Sequence, residues 1–375
     1  MNRQISFSII FAVLFLHTGC AVPEPVSTHG TMVPEVIDSR FDSFLQEMET
    51  KEHFTGVALV MREGKILHAK GYGSASGNRP NNVDTRFHVG SITKEFTAAA
   101  IMQLVEKGVL KLDSPINSYL PQKYRSEKWD AVTVQNLLSH TSGITDYAVS
   151  RDYYHVVKGF CPDDTVDGML KEAMGKDLEF VPGSKYSYTN LGYTLLGVII
   201  ENQTATSYSK YIKDNILDPM GMTSSSIHVV GHASANDEAE GHRWSDEQRR
   251  HVPDDILSLP ATAPDGGLIT TLGDFSKWAR IFTSGEQAIL SQDSIRRMSS
   301  PQIQIGNGGP LDSMGYGLYV GDRLLGHGGL VVGFSSQFVF DRETRSLIVV
   351  FSNDASDNPQ QVVFGLLTLL LTPNS

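Results

Sequence analysis

The stretch "VGSITKEF", residues 89–96, sets Ser91 three positions ahead of Lys94, at the head of the apolar run "TAAAIMQLV". Three residues apart on a helix, two side chains share a face and meet. A lysine in the first turn lies at the positive end of the helix dipole, and burial penalises its charged form; both effects lower its pKa. A neutral amine beside a hydroxyl is a general base, an arrangement that makes a serine nucleophilic without a histidine triad. The first-turn N–H of Ser91 is also available to an oxyanion. The same spacing recurs in "SYSK", from Ser207 to Lys210. There the segment "TATSYSKYIKDNILDP" is polar on one face, with Lys213 close by, and reads as a surface helix with Ser207 as its cap or first-turn serine. Two downstream motifs favour Ser91. "YSYTNLGY" holds the one Tyr-x-Asn of the chain, Tyr188 and Asn190, and "LLGHGGLVVGF" carries His327, Gly328, Gly329 and Leu330 in a strand-like stretch. Glycines weaken a strand unless something must approach its backbone closely, and a docking substrate carbonyl is such a thing.

The elements that would hold these residues are legible in outline. At 375 residues and 40% hydrophobic, the chain can bury one large core or two smaller ones that share a cleft. "GVALVMREGKILHAKGYG" is two apolar runs about Glu63-Gly64, a hairpin signal. From Ile92 to Val105 almost every position is apolar, which predicts a helix buried on all sides. Residues 107–300 read as helices and long loops. Strand character returns in "GYGLYV" and in "SSQFVFDRETRSLIVVFSND", with a turn near Arg342-Glu343, and "NPQQVVFGLLTLLL" closes the chain as an apolar helix. Strands at both ends with helices between predict an α+β sandwich: one mostly antiparallel sheet built from both termini and flanked by helices. An all-helical lobe inserted at about 107–300 then leaves a cleft between the two.

The N-terminus stands apart. "ISFSIIFAVLFL" is an unbroken apolar stretch of a length that suits an export signal better than a bilayer span. Residues 1–20 are therefore expected to be a signal peptide, residues 21–36 a flexible tether and residues 37–372 the folded domain. Cys20 follows Gly19, where a bacterial lipoprotein carries its lipid, although His17 stands where an apolar residue is usual; plain cleavage after Ala21 uses Gly19 and Ala21 as the small pair. The protein is expected to be exported, either periplasmic or membrane-anchored through a lipid on Cys20. Cys161 is the second and last cysteine, so once Cys20 is lipidated or removed no intramolecular disulfide can form. The net charge is −11 and no basic run breaks it, which argues against nucleic acid and anionic membrane surfaces as partners.

Other chemistries fit less well. No Gly-x-Ser-x-Gly occurs, which argues against a nucleophile-elbow hydrolase. His228, His232, His242 and His251, with Asp237, Glu238 and Glu240, form the one region rich in metal-ligating types. It is Gly-, Ser- and Asn-rich and lacks a Glu after the first His, so it reads as a solvated loop rather than a metal site.

Ser-x-x-Lys, then Tyr-x-Asn, then His-Gly-Gly on a strand, in that order, resembles the serine β-lactamase and penicillin-binding-protein superfamily, in its class C β-lactamase, D-aminopeptidase and esterase branch. "TVQNLLSHTSGI", "PGSKYSYTNLGYTLLGVIIE" and "DGGLITTLGDFSKWARI" share that branch's cadence, and the resemblance covers roughly 37–372. It implies Ser91 as acylated nucleophile and Lys94 as its base partner. Tyr188 would shuttle a proton to the leaving group and later activate the deacylating water. Asn190 would hold Lys94 and a polar group of the substrate, the N–H groups of Ser91 and Leu330 would form the oxyanion hole, and no metal or other cofactor is needed. The implied partner is a small-molecule or peptide acyl donor with an ester or amide bond, which includes D-amino-acid, peptide and β-lactam bonds. His327 departs from the lysine that β-lactamases and carboxypeptidases carry, and Gly328 lacks the hydroxyl that accompanies it. An imidazole with the ordinary pKa near 6.5 is mostly neutral at pH 7, which predicts a poor hold on a substrate carboxylate. The alternative from another class is a non-catalytic sensor of cell-wall peptides or penicillins with the same fold; the joint presence of Ser91, Lys94, Tyr188 and Asn190 argues for turnover.

Overall fold

The computed structural model describes residues 33–146, 166–228, 235–254 and 263–372. The signal segment, Cys20, Cys161 and His232 lie outside the described residues. Strands β1 (Gly56–Arg62) and β2 (Lys65–Tyr72) form the expected hairpin, with Glu63 and Gly64 both at positive φ, +52° and +79°. Two consecutive left-handed residues make the tight turn whose twist suits flanking strands. At the other end of the chain, β3 (Leu324–Val331), β4 (Phe334–Asp341) and β5 (Ser346–Ser352) form a meander. The two parts join through β1 and β5, Val57 opposite Phe351 and Leu59 opposite Val349. Three two-residue strands, Ile303–Gln304, Ser313–Met314 and Tyr319–Val320, lengthen the sheet beyond β3, and every pairing in it is antiparallel.

Alternation along the central strands builds two cores. Ala58, Val60, Ile348 and Val350 point to the face covered by α1 (Ser39–Lys51) and the C-terminal helix, and cluster with Phe41, Leu45, Val362 and Leu366. Val57, Leu59, Val349 and Phe351 point the other way and cluster with Phe96 of α2 (Thr93–Glu106). Helix α2 is buried at every position from Thr93 to Leu104, Lys94 and Glu95 included, so it has no solvent face. It packs against α3 (Asn190–Thr204), the other apolar helix of the second lobe. Helix α4 (Leu272–Thr283) falls within the stretch read as the inserted lobe, yet it packs on β5 and β1 as part of the sheet's helical layer. Its Phe275 packs on Phe338 and Phe351 of the sheet, while Trp278 reaches Phe96 of α2. The same stretch contains strands as well as helices: Leu268–Thr270 pairs with Phe87–His88 and with Ser226–Ile227, and His242–Ser245 pairs with Arg250–Pro253. The C-terminal helix α5 (Pro359–Leu371) lies on β4 and β5. Residues 33–36, read as the end of the tether, belong to the fold, since Val33 is buried and Val36 exchanges backbone hydrogen bonds with Ala69.

Phe351 has 0% of its surface exposed and packs its ring on Phe87 and Phe275, with centroids 6.2 and 5.6 Å away. Phe351→Ala is expected to cost about 3–5 kcal/mol of stability, read as a lower urea midpoint. Val181→Ala, at a 73% exposed site, should change it by less than about 0.5 kcal/mol.

Candidate active site

Ser91 sits in a single 3-10 turn, Gly90–Ile92, that runs directly into α2. Gly90 makes that turn workable. Its φ of +53° is left-handed, and a Cβ there would stand 2.8 Å from the Leu330 amide nitrogen. The turn therefore lies against β3 with Ser91 beside Leu330. Gly329 is bare for a related reason, because a Cβ would meet the Val89 carbonyl oxygen at 1.9 Å. The close approach that the glycines were expected to permit is in part the protein's own. The Cβ of a residue at 328 would strike the Gln337 side chain at 2.6 Å, on the opposite face of the sheet.

Lys94 is fully buried, and its Nζ donates to three oxygens: Ser91 Oγ at 3.0 Å, Asn190 Oδ1 at 2.8 Å and the Asp265 carbonyl at 2.8 Å. Burial pulls its pKa down to about 8, while the carboxylates of Asp265 and Asp146 hold it up. Three acceptors suit an ammonium, and the low value keeps the free amine within reach near neutrality. The Asn190 amide is oriented without ambiguity. Its oxygen faces a lysine that only donates, and its nitrogen donates to Asp146 Oδ2 at 3.2 Å. Asp146 also accepts from the Leu191 N–H at 3.0 Å, so one carboxylate both caps α3 and turns Asn190 toward Lys94.

The Tyr188 hydroxyl lies near Ser91, close enough to act on its acidity, and its ring lies 5.0 Å from Lys94 Nζ. Burial raises the phenol well above its ordinary pKa, the neighbouring Tyr319 adds to that, and Ser91 works the other way. Behind it stacks His140, with centroids 4.2 Å apart. His140 Nδ1 accepts from the Thr189 N–H at 3.1 Å, and burial holds this imidazole well below its usual range. His327 is buried on β3, with its Nδ1 2.5 Å from the Gly328 carbonyl oxygen. Burial first, and the charge of Lys94 second, hold it down at about 3.

These groups open on one cavity of about 700 Å³. Ser91, Tyr188, Asn190, His327, Gly328, Gly329 and Leu330 all line it, so the site residues expected from the sequence come together apart from Lys94, which lies behind Ser91. Three further positions were missed. Asp265 contributes through its carbonyl, which no residue type marks. His140 and Asp146 lie in "SHTSGITD", where a His set between hydroxyl residues was the available signal; the structure buries it at a φ of +56°. His228, read as part of a solvated loop, lines the cavity with its ring 5.3 Å from His88. Backbone pairing explains the difference, because His228 donates its N–H to Gly267 beside the short strand Leu268–Thr270. His251 of the same region pairs with Asp354 at 2.7 Å instead. Among the described residues no three His, Cys, Asp or Glu side chains are grouped to hold a metal. Ser207 caps the helix Tyr208–Ile212 by accepting from the Lys210 N–H, and the Lys210 ammonium turns away to Asp214.

The chain matches the profile of the Beta-lactamase family over residues 41–367. It is 28% identical over 318 residues to the putative penicillin-binding protein PbpX of Bacillus subtilis (strain 168), covering 84% of this chain and 74% of that one. To Protein flp of Staphylococcus aureus (strain COL) it is 27% identical over 344 residues, 88% of this chain and 66% of that protein's length. Among solved structures, the octameric penicillin-binding protein homologue from Pyrococcus abyssi is similar at a TM-score of 0.78 and 30% identity, over 89% of this chain and 77% of that one. A profile that spans nearly the whole described fold, with the Ser-x-x-Lys pair, the Tyr-x-Asn motif and the glycine strand in one cavity, means that this chain belongs to the Beta-lactamase family.

Proposed function

We propose that the protein is a serine hydrolase that works through an acyl-enzyme on esters or amides without a carboxylate beside the scissile bond. The observation that carries this reading is the fully buried Lys94 bonded to Ser91 Oγ, with its pKa at about 8. In the free-amine form, Lys94 takes the Ser91 proton as Oγ bonds to the acyl carbon. The new oxyanion is placed beside the Ser91 and Leu330 N–H groups. Tyr188, kept as a neutral phenol by burial, passes a proton to the departing alcohol or amine as the C–O or C–N bond breaks. Water then attacks the acyl-enzyme, its proton returns by the same route, and Ser91 leaves as the hydroxyl. Asn190 holds Lys94 in register throughout.

The substrate class follows from charge. Among the described residues that line the cavity there is no arginine and no lysine; the lining includes Asp357, whose carboxyl burial raises to about 7. Losing one charge-assisted hydrogen bond is worth roughly 1.5–3 kcal/mol, enough to set penicillins behind neutral donors. The relatives' names speak of penicillin binding, whereas this cavity offers a carboxylate little. Export is part of the proposal, on the strength of the apolar run at 5–16 and of Cys20.

A fluorophosphonate probe followed by peptide mapping should label Ser91 and leave Ser207 bare; label on Ser207, or full labelling of Ser91→Ala, would remove the assignment. Lys94→Ala should lower kcat by about a hundredfold or more. With ester donors, kcat/KM should climb with pH to a plateau above about 8, since protonating Lys94 removes the base. Asp146→Asn deletes a charge that raises the Lys94 pKa, so the rising limb should shift to lower pH. An unmoved limb would mean that another group sets it. Metabolic labelling with a palmitate analogue should mark the wild type and not Cys20→Ser if Cys20 is lipidated, and intact mass should show loss of residues 1–21 if the signal is simply cleaved. Full-length soluble protein in the cytoplasm would contradict both.

A further inference from the structure

Two features of His140 are costly. It is a non-glycine residue in left-handed backbone, at φ +56°, and it is 0% exposed with its Nε2 unpartnered among the described residues. A sparsely populated backbone conformation and a buried polar atom without a partner each lower stability. No ligand in the cavity reaches that nitrogen, so the reason for a histidine lies on its other side.

That other side holds Tyr188 from three directions. The His140 carbonyl accepts from the Ser187 N–H at 2.9 Å, and its Nδ1 accepts from the Thr189 N–H at 3.1 Å. Its ring stacks on Tyr188 with centroids 4.2 Å apart and planes 26° apart. One residue thus fixes the tyrosine ring and the backbone on both sides of it. Because Nδ1 faces a group that only donates, the ring proton sits on Nε2. Phenylalanine would stack without accepting, and asparagine would accept without stacking; an imidazole does both. Burial and the charge of Lys94 keep the ring neutral, which Nδ1 requires in order to accept. The rest of the loop is pinned in turn. The Thr141 and Gly143 carbonyls accept from the Gly183 and Glu179 N–H groups at 2.8 and 2.7 Å, and Asp146 holds Asn190 and Leu191.

We propose that His140 is a positioning residue for proton delivery: by holding Tyr188 it sets how poor a leaving group the protein can expel. The inference rests on the acyl-transfer reading of Ser91 and deepens it. As the C–O or C–N bond breaks, the Tyr188 proton passes to the departing atom, and the proton that Lys94 took from Ser91 refills the phenolate. Misplacing a reacting group by about 1 Å can cost about a hundredfold in rate. A leaving group that is stable as an anion needs no proton, so it is indifferent to where Tyr188 stands.

The acetates of ethanol and of 4-nitrophenol separate the two cases, with kcat/KM reporting acylation. The fluorophosphonate probe counts intact sites, since its fluoride also leaves unprotonated. His140→Gly keeps the left-handed backbone and removes both ring and acceptor. It should lower kcat/KM for ethyl acetate by about a hundredfold and for 4-nitrophenyl acetate by less than about threefold, with Ser91 still labelled. Tyr188→Phe should show the same split, and the double variant should be no slower than Tyr188→Phe alone. His140→Asn, which keeps an oxygen for the Thr189 N–H and suits left-handed backbone, should show the split with a smaller loss, and it carries the test if the glycine variant does not fold. An equal loss on both esters, or a further loss in the double variant, would overturn the proposal. A wild type inactive on both esters, with Ser91 unlabelled, would instead count against the hydrolase reading.

Discussion

A lysine ammonium held out of water beside a serine hydroxyl is the constraint around which the second lobe is arranged. Burying a charge without partners is prohibitive, and a buried charge with too many opposite charges becomes inert. Lys94 is held between these limits. Burial costs its charged form, three neutral oxygens satisfy its protons, and the carboxylates of Asp146 and Asp265 act on it without touching it. Each partner comes from a different segment: the 3-10 turn before α2, the start of α3, and the short helix Ala263–Gly266. The three segments must dock correctly for the lysine to be tolerated at all.

That docking depends on close backbone approach as much as on side chains. Gly90 and Gly329 let the Ser91 turn lie flat on β3, and the Ser336 hydroxyl fastens it by donating to the Val89 carbonyl at 2.8 Å. On the far side of α2, Trp278 stacks on Phe96 at 4.0 Å and donates to Glu95 at 3.0 Å. Burial raises the Glu95 carboxyl well above its ordinary pKa, and the indole bond opposes this. Helix α2 is thus gripped by the sheet at its first turn and by α4 one residue past Lys94, which leaves the Ser91–Lys94 pair little room to rotate.

What the sequence revealed and what it hid divide along one physical line. Features set by neighbours along the chain were legible: the Glu63-Gly64 turn, the all-round burial of α2, and the reach from Ser91 to Lys94. The Tyr188–Asn190 and His327 motifs were placed through resemblance to a family, since spacing alone does not bring residues 91, 190 and 327 together. Features set by long-range backbone contact were not legible. Asp265 acts through a carbonyl, His228 reaches the cavity because its backbone pairs beside a strand some forty residues on, and α4 joins the sheet although helices of the inserted lobe precede it. The glycines of the third motif were read correctly as sites of close approach, yet at Gly329 the approaching group is Val89 rather than a substrate. The neutral state of His327 was expected from its ordinary pKa; burial and Lys94 depress that value further than type alone foretells.

The pairing of β1 with β5 also constrains how the molecule comes into being. The Ser352 hydroxyl donates to the Thr55 carbonyl across 297 positions of sequence, at the end of the β1–β5 ladder. Closing so long a loop costs entropy before any contact repays it, and topologies dominated by such contacts fold slowly. The α2 helix is made early, but the surface that buries it includes β3 to β5, which are made more than two hundred residues later. Until then Phe96 and its neighbours have only the β1–β2 hairpin of the sheet to cover them. A nascent chain of this design therefore carries a helix that ends with no solvent face incompletely covered for most of its synthesis, and it depends on chaperoning or on delayed collapse to avoid associating with its own copies.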